Sequence, residues 1–164
     1  MKILGIDPGY DRIGIAIIEG KDLLHSECFS TNPKDDFHVR LKELGQRVNY
    51  MISEYEPDVM AIESLFITKN QKTAMKVAEA RGVISYEASL KDIPIFEYSP
   101  PQIKVAITGH GGSDKSSIIK MIPLLIKMKV KKALDDEYDA IAVALTCQAH
   151  ESVRKNSTRM VIPR

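Results

Sequence analysis

The sequence predicts an α/β fold, a five-stranded mixed sheet with helices on both faces. Two patterns carry that expectation. Three apolar, alternating segments fill the first 30 residues and are separated only by short turns, so they read as antiparallel neighbours. After them, strand-like and helix-like periods alternate, which adds parallel strands with helices packed across them. At 164 residues and 44% apolar, the chain is long enough for one domain with its own core.

The strands are expected at 2–7, 13–19 and 23–30. Pro8-Gly9-Tyr10-Asp11 and Glu19-Gly20-Lys21-Asp22 form the turns between them. Asp35 or Asp36 caps a helix that runs to about Tyr55, with Leu41, Leu44, Val48, Met51, Ile52 and Tyr55 as its apolar stripe. Pro57 ends it. Asp58–Ile62, nearly all apolar, reads as a central buried strand. A loop from Ser64 to Lys69 leads to a helix over about 70–90. Ala74, Met75, Ala78, Gly82, Val83 and Tyr86 mark one broad face of it, and the small residues Ala78 and Gly82 allow another element to come close. Ile93–Tyr98 is the fifth strand. Ser99 caps a short helix with Pro100 at its first position, and Gly109-His110-Gly111-Gly112 breaks it. A further helix starts near Ser113, with Pro123 as a kink or a restart. The last helix runs from about Asp135 to Ser152, with Tyr138, Ile141, Ala142, Leu145 and Ala149 as its stripe. Residues 1–152 thus form a single domain. Residues 153–164 are basic and polar without a period, and read as a flexible tail.

Net charge is +1, but it is divided unevenly. Residues 100–134 hold seven lysines (104, 115, 120, 127, 129, 131 and 132) against Asp114 alone, a segment of +6 beside a remainder of −5. Such asymmetry suits a protein that grips a polyanion with one part and binds cations with another. The bland reading is a solvated lysine-rich helix face. Cys28 and Cys147 have no metal-ligand spacing and form no disulfide framework. No signal peptide and no membrane span is read, so the expected location is the cytoplasm.

Four carboxylates stand out. Asp7 ends Lys-Ile-Leu-Gly-Ile-Asp, and Glu63 ends Val-Met-Ala-Ile-Glu. Asp136 and Asp139 stand three apart in the first turns of the last helix. A turn before Pro-Gly explains Asp7, and the helix dipole explains the helical pair, but neither explains Glu63. If the four meet, like charges crowd one site and call for a compensating cation. Oxygen-only ligands suit hard divalent ions, above all magnesium. Two such ions about 4 Å apart clamp the attacking and leaving oxygens of a phosphodiester. Asp135 leaves an ambiguity: on a helix it lies about 40° from Asp139, while Asp136 lies about 60° away, so spacing alone does not choose between them.

Gly109 to Ser116 resembles a phosphate loop only in part, because Asp114 stands where a nucleotide-binding loop needs glycine. Glycines before a helix start, beside Lys115, still suit a DNA phosphate. Phe66, in an otherwise polar loop just past Glu63, reads either as a core plug or as a wedge against DNA bases.

The chain resembles bacterial Holliday-junction resolvases of the RuvC type over nearly its whole length. The matching stretches are Gly-Ile-Asp-Pro-Gly (5–9), Ala-Ile-Glu with Phe66 three residues on, Glu-Ala-Arg-Gly-Val (79–83), Lys104 in Gln-Ile-Lys, the glycine loop followed by Lys115, and Asp-Ala-Ile-Ala-Val-Ala (139–144). The resemblance implies a ribonuclease H-like fold, a homodimer, and cleavage of four-way DNA junctions in recombination and repair. It implies two magnesium ions per active site, with manganese as a substitute, and a branch-migration helicase complex as partner. It carries over Asp7, Glu63, Asp136 and Asp139 as metal-binding catalytic carboxylates, and its spacing favours Asp136 over Asp135. Lys115 and Lys104 match lysines that support DNA binding, Lys115 also catalysis, and Phe66 matches an aromatic at the junction centre. The segment Asp135-Asp136-Glu137 is more acidic than the family's usual one, and the lysines at 127–132 are additional. Two rivals are weaker: a junction-binding protein without cleavage, against which the intact carboxylate set argues, and an actin-like ATPase, for which the chain is too short.

Overall fold

A computed structural model of the chain describes residues 1–65, 71–128 and 134–159, with the side chains of 71 and 152–159 excepted. The elements in chain order are β1 (Lys2–Asp7), β2 (Arg12–Glu19), β3 (Asp22–Ser30), α1 (Phe37–Tyr55), β4 (Val59–Glu63), α2 (Gln71–Ser89), β5 (Ile95–Tyr98), α3 (Pro100–Thr108), α4 (Lys115–Leu125) and α5 (Asp135–Arg159). The five strands form one sheet in the order β3-β2-β1-β4-β5. The first three are antiparallel, and β4 and β5 run parallel to β1. Central β1 pairs with β2 so that Asp7 faces Gly14, and with β4 so that Ile6 faces Ile62. This is the mixed sheet the sequence predicts.

Alternation along the strands divides the core in two. Leu4, Ile6, Ile13, Ile15, Ile17, Met60 and Ile62 point to α1 and α2. Ile3, Ala16, Ile18, Val59 and Ala61 point to α3, α4 and α5. The second face is built of small residues where α5 crosses it. A Cβ on Gly5 would run into the Ala140 carbonyl oxygen and the Ala144 methyl. A Cβ on Gly14 would run into the Asp136 carbonyl oxygen. Glycine on the strands therefore lets the backbone of α5 lie directly on the sheet.

The helix starts follow from capping. Asp36 rather than Asp35 caps α1, accepting from the His38 N–H at 2.9 Å. Asp114 caps α4 by accepting from the Ser117 N–H at 2.9 Å, which accounts for the residue that breaks the phosphate-loop pattern. Pro123 does not restart α4; it lies in the last turn of one continuous helix that ends at Leu125.

Three expectations need correction. On α2 the buried residues are Ala80, Ile84 and Ala88, while Met75, Ala78, Gly82 and Tyr86 are exposed. Nothing in the described residues comes within 4 Å of a Cβ built on Gly82. On α5, Ala149 is exposed and Tyr138 half-buried, whereas 140–147 are buried all round, because the helix is sandwiched between the sheet and α3–α4. Finally, α5 continues to Arg159 instead of ending near Ser152, since the helical backbone ladder carries on through the polar residues.

Candidate active site

The register of the sheet brings the first two acids together. Asp7 ends β1 and Glu63 ends its parallel neighbour β4, and the charge of Glu63 bears on Asp7. The close seating of α5 brings the next two. Asp136 and Asp139 both bear electrostatically on Asp7. Burial, then Asp139, Glu63 and Asp136, push the Asp7 carboxyl up to about 8, against a weaker opposing pull from Lys115. Burial and Asp139 likewise raise Glu63. Burial also raises Asp139, although Lys115 opposes it.

Two cations hold the helical acids. Arg12 Nε donates to Asp136 Oδ2 at 2.9 Å, and the Cys28 thiol lies 3.5 Å from the same oxygen. Lys115 Nζ donates to Asp139 Oδ2 at 2.8 Å and stands 3.5 Å from Asp135 Oδ2. Burial works to lower Lys115, but the pull of Asp139 and Asp135 outweighs it and raises its pKa. Asp135 is largely exposed and turned to Lys115, while Asp136 acts on Asp7. The geometry thus separates two neighbours that helical spacing alone leaves equivalent.

Among the described residues, no three His, Cys, Asp or Glu side chains stand close enough as they lie to hold an ion. Yet the donor set fits one. Its ligands are all carboxylates, and the upward push that burial and neighbouring acids exert on both Asp7 and Glu63 marks negative charge that a divalent cation would offset. The two acids that would complete the set lie on Arg12 and Lys115.

Two hollows open on the cluster, and Glu63 lines both. One, of about 190 Å³, is lined also by Pro100, Ile103, Lys104, Lys115, Ile118 and Asp139. The other, of about 230 Å³, is lined by Asp7, Pro8, Ser64, Leu65 and, from α2, Thr73, Ala74 and Val77. Lys104 and Lys115 therefore share one side of the acids. Phe66 lies outside the described residues, as do Lys129, Lys131 and Lys132.

A carboxylate quartet at the C-terminal ends of β1 and β4, closed by a helix seated on glycine, is one particular assembly. The family model for the crossover junction endodeoxyribonuclease RuvC matches residues 3–147. The chain belongs to the RuvC family. A RuvC relative from Thermosipho melanesiensis is 42% identical over 148 residues, covering 88% of this chain and 94% of that one. One from Brachyspira hyodysenteriae is 40% identical and covers 93% of this chain and 94% of its own. Among solved structures, Thermus thermophilus RuvC in complex with a Holliday junction substrate superposes with a TM-score of 0.89 at 28% identity, covering 94% of this chain and 96% of that one. The yeast mitochondrial resolvase Ydc2, at 14% identity and a TM-score of 0.68, shares the fold. The ribonuclease H-like architecture and the nuclease family that the sequence implies are thereby established.

Some of the RuvC-type site is not visible in the sequence. Arg12 and Cys28 reach Asp136 from strands more than a hundred residues away, and no local period announces them. Gly5 and Gly14 do leave a signal. They sit opposite Ala16 and Asp7 on one strand face, matched by the alanines of Asp-Ala-Ile-Ala-Val-Ala on α5.

Proposed function

We propose that this chain cuts four-way DNA junctions by paired symmetric nicks, with Asp7, Glu63, Asp136 and Asp139 as its catalytic carboxylates. The observation that carries this reading is their convergence, which raises Asp7 to about 8. The four would hold two magnesium ions, with manganese as a substitute, and these would supply the charge that activates water and stabilises the leaving 3′ oxygen. The chain's own residues do the rest. Strand ends fix Asp7 and Glu63, so their oxygens need no reorganisation. Asp136 must leave Arg12, and Asp139 must leave Lys115, to face the same centre. Lys115, once released, is placed to neutralise charge gathering on the phosphate, and Lys104 beside it holds the strand. The products would be a 5′ phosphate and a 3′ hydroxyl, ends that a ligase can seal.

A junction of two homologous duplexes has two-fold symmetry, and a homodimer matches it with one site per strand. The exposed stripe Met75, Ala78, Gly82 and Tyr86 on α2 supports this reading, because it presents apolar side chains around a glycine that nothing in the described residues covers. Phe66, three residues past Glu63, is assigned the unstacked junction centre, since phosphate contacts carry no junction preference by themselves. A branch-migration helicase complex is the expected partner and the cytoplasm the expected location. No helix among the described residues is long and apolar enough to cross a membrane.

The test is cleavage of a synthetic four-way junction with magnesium, alongside duplex DNA and ATP hydrolysis as controls. Paired nicks in the junction and neither control activity are expected. An intact junction, or duplex cut equally well, would overturn the reading.

A further inference from the structure

The lysines so far assigned to DNA all border one of the two hollows. The start of α2, which lines the second hollow with Asp7 and Glu63, carries a cation beside the lining residues. Lys76 lies on α2 between Ala74 and Val77, which line that hollow, and it is exposed. Its ammonium sits 5.1 Å from the centre of the Tyr10 ring and 5.4 Å from that of Phe37. The two rings meet edge to face at 6.3 Å. Tyr10 is three residues past Asp7, in the turn that leaves β1.

Lys76 differs from the other cations near the acids. Arg12 is paired with Asp136, Lys115 with Asp139 and Asp135, and Arg40, also over Tyr10, with Asp11. No acid among the described residues stands within ion-pair distance of Lys76. Aromatic faces hold an ammonium through the ring quadrupole without neutralising it. The charge is thus fixed in place and still available to an anion.

We infer that Lys76, held by Tyr10 and Phe37, is a backbone-phosphate contact for the cleaved strand on the side of the carboxylates opposite Lys104 and Lys115. Glu63 lines both hollows, so a strand whose phosphate reaches the acids continues into each of them. One end of it passes Lys104 and Lys115, and the other passes Lys76. A strand fixed by charge on both sides of the reacting phosphate cannot slide along its own axis, which sets the position of the cut as well as affinity.

This inference rests on the nuclease reading, and its test separates the two. Junction binding is measured without divalent ions over a series of salt concentrations, for the parent chain, Lys76→Gln, Lys76→Arg and Tyr10→Leu. Lys76→Gln is expected to reduce the magnitude of the salt slope by about 0.9 and to weaken binding by about three- to tenfold at moderate salt, as for the loss of one phosphate contact. Lys76→Arg keeps the parent slope. Tyr10→Leu weakens binding less, and adding Lys76→Gln to it costs less than Lys76→Gln alone, because the two act through one contact. Junctions in which single phosphates beside the cut are replaced by neutral methylphosphonates locate the contact: one replacement hurts the parent chain and leaves Lys76→Gln unaffected. An unchanged slope in Lys76→Gln, in a parent chain that cleaves junctions, overturns the inference and leaves the function standing. A parent chain that neither binds nor cleaves junctions overturns both.

Discussion

The two faces of the sheet are built on opposite plans. Towards α1 and α2 the strands present leucine, isoleucine and methionine, large side chains that fill a thick layer. Towards α5 they present Gly5, Gly14, Ala16 and Ala61, so thin that helix backbone meets strand backbone. The thick face buries more apolar surface per residue and so contributes more of the hydrophobic stabilisation. The thin face fixes a distance. Asp136 and Asp139 are on a helix and Asp7 and Glu63 on strands, and only close seating lets short aspartate side chains converge. One face therefore mainly holds the fold and the other mainly places the four acids.

That division can be broken most directly at Gly14. Gly14→Ala inserts a methyl where the Asp136 carbonyl oxygen lies and forces α5 outward. We expect destabilisation of about 1–3 kcal/mol and a loss of junction cleavage of about a hundredfold from misplaced carboxylates. Denaturant melts and cleavage rates together check it; a folded variant with full activity would show that the thin face sets no distance.

The next effect sharpens which acid α5 delivers. Asp136→Asn is expected to reduce cleavage by about a hundredfold or more, an effect on the scale of removing one preorganised charged group. Asp135→Asn, whose parent side chain is exposed and turned to Lys115, changes it less than threefold, the small effect expected of a surface substitution. Single-turnover rates on a junction decide, and the reverse order would mean that the helix is rotated on its seat.

Asp7 gives a stability effect of opposite sign. Its carboxyl titrates at about 8 in the folded chain against an ordinary 3.8. Below the ordinary value both states keep the proton. As pH rises the unfolded chain releases it first, so metal-free stability falls between about pH 4 and 8 and flattens above. Asp7→Asn removes that slope. It should abolish cleavage while stabilising the metal-free protein at pH 8 by on the order of 2 kcal/mol. Thermal melts in chelator at pH 5 and pH 8 measure it, and an equal shift at both would contradict the carboxylate crowding.

The smallest effect belongs to the thick face. Ile15→Val trims one methylene from a fully buried side chain on the face of the sheet opposite the acids. It should cost about 1 kcal/mol and leave cleavage rates unchanged. A large activity loss there would erase the contrast between the faces.

Much of this is readable from the chain alone, for a physical reason. Strand periods and turn residues are local, so β1 to β5 and the acids at their ends can be placed by counting. The seat of α5 is harder. The residues that meet the strand glycines are Ala140 and Ala144, and a stripe counted through Tyr138, Ile141, Ala142, Leu145 and Ala149 passes over both. The outer face of α2 misleads in the opposite way. Met75 and Tyr86 are as apolar as core residues, and only the fold shows them exposed. The choice between Asp135 and Asp136 depends on the rotation of a helix about its axis, which Gly5 and Gly14 set from the far end of the sequence.

That separation in sequence has a bearing on the safety of the cell. The first acid is made with residue 7 and the last with residue 139, in the last helix of the described residues. A ribosome releases the N-terminal strands long before α5 exists. A chain that stops short of α5 has all five strands but lacks Asp136, Asp139 and the helix that carries them. On the reading proposed above, a chain made in this order cannot nick DNA until α5 has been made and has closed on the strands.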